Sequence, residues 1–270
     1  MEEFDKLKQY DDQIFKIFQE NFGKLSDDVR TKSQYKSAIA VFTVFLMKSD
    51  FLKLGMIDLV GSLNIYSSKV IFRTLIEHYL KFLYIYLRTV EEKSDAISKE
   101  YLDLSVLNEE VETLNAWKSV VEILGIKNEK NHFENVKQKF PEYKDCDSKI
   151  LKQKILQFKH RNIIKYLNSK LNKKNSFEGG AAFALKLIPQ YSELSSFIHG
   201  GAGALENIFQ NMKENDRAKE MSNDLSIALM ISASIKMFYF LFLFQFDKNF
   251  GDAYIQIREL SKEFSSDTIN

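Results

Sequence analysis

Two prolines among 270 residues leave this chain almost without enforced breaks. Proline removes a backbone donor and clashes with the preceding helical turn, so a chain nearly free of it can run long helices. Ten glycines are also few. All-β folds need many turns, which draw on both residue types, and no clear period-two alternation marks a strand. The expected fold is all-α, a multi-helix bundle with long antiparallel helices. Hydrophobic residues make up 45% of the chain, enough to fill a sizeable core.

Helical spacing of apolar residues begins at 2–22 with Phe4, Leu7, Ile14, Phe15 and Phe18. Ser26, Asp27 and Asp28 are placed to cap a following turn. An apolar helix is expected over 34–49. A further segment over 52–90 is interrupted by Gly55 and Gly61, its main part starting at Leu63. A long amphipathic helix over 94–124 ends at Gly125, a plausible C-cap. The stretch 126–149 is polar and holds Pro141. Helix resumes over 148–170, then over 181–199, 203–214, 217–247 and 251–264. We expect one domain spanning 1–270, with a polar excursion at about 126–147.

A formal net charge of +1 shows no global basic excess of the kind that nucleic-acid binders often carry. The single cysteine, Cys146, cannot form an intramolecular disulfide. It sits among acidic residues that disfavour its thiolate, so we read it as incidental. A reducing, cytoplasmic compartment fits that usage, and the acidic start Met1-Glu2-Glu3-Phe4-Asp5 is not a secretory signal. The run 225–246 is long enough to span a bilayer. Lys236 near its middle would cost about 3 kcal/mol there, so a helix buried inside the bundle is the preferred reading.

Phosphate-loop, zinc-protease, paired-cysteine and nucleophile-elbow motifs are all absent. The histidines His78, His132, His160 and His199 show no metal-ligand spacing, so neither a metal nor another cofactor is expected.

Two constellations can carry chemistry. Arg73 and Glu77, four residues apart in an apolar helix, share one face. They read either as an internal ion pair tying helices together or as a guanidinium held by Glu77 to meet a phosphate. Tyr191, Ser195 and His199 repeat at the same spacing, and His199 falls at a helix C-terminus before Gly200-Gly201. It reads as a general acid or base near neutrality or as a capping histidine whose glycines serve only the turn. The basic cluster Lys159-His160-Arg161-Asn162 fits either phosphate contact or a solvated helix face. His132 carries no signal.

The pattern Arg73-x-x-x-Glu77 followed by Tyr191-x-x-x-Ser195-x-x-x-His199-Gly200 resembles a family of bacterial all-helical proteins known mainly as a domain of unknown function. The resemblance covers roughly 35–245. That family looks like a relative of the HEPN superfamily, helical and usually dimeric proteins. Many are metal-independent ribonucleases of toxin–antitoxin, abortive-infection and other anti-phage systems. Arg73-Thr74-Leu75-Ile76-Glu77-His78 satisfies the spacing of the HEPN signature, with Thr74 where Asn, Asp or His is usual. The resemblance implies a hydrolase acting on RNA or a nucleotide and associating with itself or with a partner protein. A histidine, His199 first and His78 second, would take the proton of an RNA 2′-hydroxyl. Arg73 would stabilise the phosphoryl oxygens, Glu77 would orient Arg73, and Tyr191 and Ser195 would hydrogen-bond substrate or the histidine; Arg161 of the basic cluster is the further candidate for substrate contact. The competing expectation is a non-catalytic interaction or sensor subunit of a defence complex.

Overall fold

The computed structural model describes residues 2–125, 143, 145–171 and 180–268. Eleven helices and no strand lie among them, which makes the architecture an all-α bundle. In chain order they are α1 (Glu2–Phe22), α2 (Asp27–Lys32), α3 (Lys36–Gly61), α4 (Ile65–Glu92) and α5 (Ala96–Ile123). They continue with α6 (Ser148–Leu156), α7 (His160–Leu171), α8 (Gly180–His199), α9 (Ala202–Gln210), α10 (Glu214–Leu243) and α11 (Phe250–Thr268). Most of the expected polar excursion, His132 included, lies outside the described residues.

The helices begin and end where side chains satisfy their free backbone groups. Ser26 accepts from the Val29 amide to start α2, and Asn64 accepts from the Ser67 amide to start α4. The α3 start is capped from a distance. The Asp95 carboxylate, in the link between α4 and α5, accepts from the amides of Ser37 (2.9 Å) and Ala38 (2.6 Å). Gly125 takes the left-handed conformation (φ +68°) after α5, as a C-cap requires.

Two helix boundaries differ from expectation. α3 runs unbroken through Gly55, whose missing side chain lets α4 approach: a Cβ there would stand 3.2 Å from Ile71 Cδ1. Of the two expected interruptions only the one at Gly61 occurs: α3 ends there, and the link 62–64 follows, where Leu63 is left-handed (φ 53°). The expected helix over 148–170 is two helices. They part at Gln157–Lys159, where Phe158 turns in against Tyr84 and Tyr101.

α4 and α10 are the buried posts of the bundle. α3 packs on both, α8, α7 and α5 pack on α4, and α11 and α1 pack on α10. Phe42, Phe72, Tyr79, Phe82, Tyr239 and Phe242 are fully buried between them; each such side chain stabilises the fold by about 1.5–3 kcal/mol. α10 is the one helix among the described residues long and apolar enough to cross a membrane, and most of it is buried in the bundle. Its central Lys236 is fully buried. The ammonium donates to Ser232 Oγ (2.8 Å) and to Asp50, while Lys53 bridges Asp50 (3.3 Å) and Asp11 (2.7 Å). Burial pulls the Lys236 pKa down to about 8 against the opposing charge of Asp50. This charged knot ties α1, α3 and α10 together.

Candidate functional site

The Arg73 guanidinium is the hub of a polar cluster formed by α4, α8 and α7. Its Nη1 donates to Glu77 Oε2 (3.2 Å), one turn along α4. Across the helix interface, Nη2 donates to Tyr191 Oη (2.6 Å) and Nε to Ser195 Oγ (3.3 Å). Tyr191 and Ser195 reach one guanidinium together because a spacing of four puts both on the same face of α8. Tyr191 Oη donates in turn to Glu77 Oε2 (3.3 Å). The tyrosine ring also lies against the guanidinium, with Cζ 4.3 Å from the ring centre, a cation–π contact. The His160 imidazole, from the first residue of α7, packs against the tyrosine of that contact at a tilt of 41°, its centre 3.6 Å from that of the Tyr191 ring. Both His160 ring nitrogens are buried without a hydrogen-bond partner. Burial pushes the His160 pKa down to about 4; Glu77 opposes this shift while Arg73 and Lys81 reinforce it.

Glu77 joins this cluster to an open cleft. Its second oxygen, Oε1, accepts from Lys81 (2.7 Å). Burial alone would raise the Glu77 pKa. The Lys81 hydrogen bond and charge, followed by Arg73, outweigh it and hold the carboxylate below its ordinary range. Thr74, Glu77, His78 and Lys81 line one wall of a cavity of about 330 Å³. Lys48 of α3, Tyr101, Ser105 and Asn108 of α5, and Phe158 and Lys159 of the turn before α7 also line it, and a second carboxylate, Glu109 of α5, faces the same space. Among the described residues no three His, Cys, Asp or Glu side chains group as metal ligands.

The seven residues expected at a site fall into three groups. Arg73, Glu77, Tyr191 and Ser195 meet, with Tyr191 and Ser195 bound to Arg73 itself. His78 lies on the cleft wall. Its Nε2 stands 2.8 Å from the Phe45 carbonyl and its ring 4.4 Å from the Phe45 ring. A carbonyl only accepts, so Nε2 carries the proton and Nδ1 keeps the basic lone pair. Burial first, then Lys48 and Lys81, lower the His78 pKa to about 4, against the bond to Phe45. His199 and Arg161 stand apart. His199 is exposed at the end of α8 and makes no hydrogen bond to Arg73 or Glu77 among the described residues. Gly200 beyond it is left-handed (φ +63°), and the Gly201 amide bonds the Ser196 carbonyl (2.8 Å). The glycine pair therefore closes the helix end. Arg161 is exposed on α7.

Two members of the site went unassigned in the sequence reading. Lys81 had a local signal, standing four residues after Glu77 on the same face. His160 stood out only as part of a basic cluster, and the packing of α7 on α4 and α8 is what brings it to Tyr191.

The fold and this geometry define a helical-bundle protein with a guanidinium-centred polar cluster beside a lysine-lined cleft. The chain belongs to the family of unknown function DUF5677, which matches residues 52–218 and so includes the whole cluster and its cleft apart from Lys48. No curated protein and no solved structure matches the chain.

Proposed function

We propose that the chain is a HEPN-like, metal-independent ribonuclease or nucleotide-acting effector of bacterial anti-phage or toxin defence, working at the cleft beside α4. One observation carries this reading: Glu77 couples the Arg73 cluster to a lysine-lined cleft that also holds a histidine of fixed tautomer. In this scheme a phosphodiester lies against Lys81, Lys48 and Lys159. His78 takes the proton of the 2′-hydroxyl through Nδ1, O2′ bonds to phosphorus, and the P–O5′ bond breaks. The leaving 5′-oxygen takes a proton from water and the protonated His78 returns its proton to solvent, giving a 2′,3′-cyclic phosphate and a 5′-hydroxyl. At neutral pH His78 is in the unprotonated form a base needs; burial is the main cause of its low pKa, and a bound phosphate offsets the smaller contribution of Lys48 and Lys81. Arg73 acts as a positioning residue: it fixes Glu77, and Glu77 fixes Lys81. The spacing of Arg73 and His78 in the HEPN signature supports the same pair. A cytoplasmic setting is supported by the lone Cys146 and by the burial of α10.

The test is cleavage of a fluorogenic RNA by the purified full chain in excess EDTA. The wild type is expected to cleave, with His78→Ala slower by about 100-fold or more and Arg73→Ala, after which Lys81 and Tyr191 still hold Glu77, slower by a smaller factor, both at unchanged helical content. His199→Ala should stay within a few-fold of wild type. Wild-type protein inert on RNA, or cleaving equally well without His78, overturns the scheme.

A second reading, a non-catalytic interaction or sensor subunit, is favoured by one observation. Val44, Met47, Phe51 and Leu54 form an exposed row along α3 at the three–four spacing of a helix–helix seam. An inert wild type that associates through this row, and loses that association in Phe51→Glu, selects this reading over the first.

A further inference from the structure

Nothing in the lysines, His78 or Glu77 accounts for the other half of the cleft. Polar and aromatic groups of α5 and the α6–α7 turn face the same cavity: Tyr101, Ser105, Asn108 and Phe158. Tyr101 and Phe158 meet edge-on, ring centres 5.3 Å apart at 67°; Tyr101 also packs on Phe45 (5.4 Å) and Phe158 on Tyr84 (6.1 Å), and the part of each ring left by these contacts lines the cavity. Asn108 offers both a donor and an acceptor, although its amide nitrogen is engaged with Glu112 (2.9 Å) at the rim. The cationic half is not fully neutralised within the protein. Lys81 pairs with Glu77 and Lys159 with Glu112 (3.4 Å), while exposed Lys48 makes no ion pair among the described residues. A cavity of about 330 Å³ lies at the small end of the range for ligand sites, about 300–1,000 Å³. That suits one nucleotide rather than two.

We infer that this cleft is a single-nucleotide subsite, binding a phosphate between Lys48 and Lys81 and a nucleobase against Tyr101, Phe158 and Asn108. It rests on the proposed function and names the unit that function recognises: one base with its phosphate, either free or within an RNA strand. Both parts contribute. Stacking on aromatic rings is tolerant of base identity, the Asn108 amide reads an edge, and the lysines supply the charge.

Isothermal titration calorimetry on the full-length chain tests this with adenosine 5′-monophosphate, uridine 5′-monophosphate, adenosine, inorganic phosphate and a ten-nucleotide RNA carrying 2′-O-methyl groups to block cleavage. The nucleotides are expected to bind at least tenfold more tightly than either adenosine or phosphate alone. Asn108→Leu and Lys48→Glu should each weaken the nucleotide at least tenfold at unchanged thermal stability. Tighter binding of the RNA than of the monophosphates assigns the nucleotide to a strand; the reverse assigns it to a free ligand. Absence of nucleotide binding up to about 1 mM, the weak limit of specific recognition, overturns the subsite. So does binding that both variants leave unchanged. Failure here is separable from failure of the ribonuclease scheme. RNA cleavage that needs His78 but ignores Asn108 removes only the subsite. Nucleotide binding that needs both Asn108 and Lys48, in a protein inert on RNA, removes only the ribonuclease.

Discussion

Glu77 is shared by four groups, which makes it the residue on which both halves of the site depend. Arg73 and Tyr191 hold one oxygen, Lys81 holds the other, and His160 lies within electrostatic range. Loss of any one donor therefore leaves the carboxylate with other partners, and no single substitution among them strands it unpaired. His78 is different, because its neutral form is built into the fold. Its pKa is about 4 in the folded chain against 6.5 for an unperturbed histidine. Between those values the unfolded chain binds more protons, so stability rises with pH across the window and is lost on acidification. At pH 5 this single group costs about 2 kcal/mol relative to neutral pH. Urea denaturation at pH 7 and pH 5 should show His78→Asn losing less stability between the two than wild type does; an equal loss would place the buried neutral imidazole elsewhere. At this scale the sequence was legible where chemistry follows helical spacing. Arg73 with Glu77, and Tyr191 with Ser195, were readable as pairs on a face. That the two faces would meet was not, because nothing local links residues 118 apart. The contact of His160 with Tyr191 was hidden for the same reason, the basic cluster around it having shown only charge, and the prominence of His199 came from its helix-end position, which the structure explains through the Gly200 turn.

The boundaries of elements follow from long-range packing as much as from local preference. Gly55 costs α3 about 1 kcal/mol of helix propensity relative to alanine, enough to suggest a break when read locally. The helix continues because the bare Cα admits Ile71 of α4, and burial along that contact outweighs the propensity. The start of α3 shows the same dependence on distant residues. Its first turn lacks a capping side chain of its own, since Tyr35 at the N-cap makes no side-chain bond. Asp95 supplies both acceptors across the short link from α4 to α5. Asp95→Ala should therefore cost about 1–2 kcal/mol, the value of a lost N-cap, although it lies 57 residues from the amide it binds most closely. Asp95→Asn keeps one good acceptor and should recover part of that loss. Thermal melts of the three proteins check the order; indistinguishable melts would mean that water caps α3 equally well. By contrast, Ser26, Asn64 and Gly125 act on their own helices, and two of those three boundaries, at Ser26 and Gly125, were readable from the chain.

At the scale of the whole molecule, α10 carries the ambiguity that hydropathy leaves open, and its buried charge resolves how the helix is used in this fold. A lone ammonium in an apolar interior would be prohibitive, but Lys236 is met by Asp50 and Ser232, and Asp50 is met again by Lys53. The knot works only when α1, α3 and α10 are assembled, so it links helix docking to charge pairing. A buried pair broken on one side costs about 3–5 kcal/mol, whereas an apolar residue of similar volume often costs much less. Lys236→Ala leaves both a void and a less compensated Asp50, so it should lose stability in that upper range. Lys236→Met fills the space, and Lys53 remains to pair Asp50, so its loss should be clearly smaller. Asp50→Ala is the sharper experiment, because it strands Lys236 in the core with Ser232 as its remaining partner, and it should match or exceed Lys236→Ala. Urea unfolding of the three variants gives the order. Equal stabilities would mean that the knot opens to water and that α10 is held by its apolar faces alone. The predicted order means that the helix is keyed into the bundle by its one central charge, the same residue that makes the segment a poor membrane span.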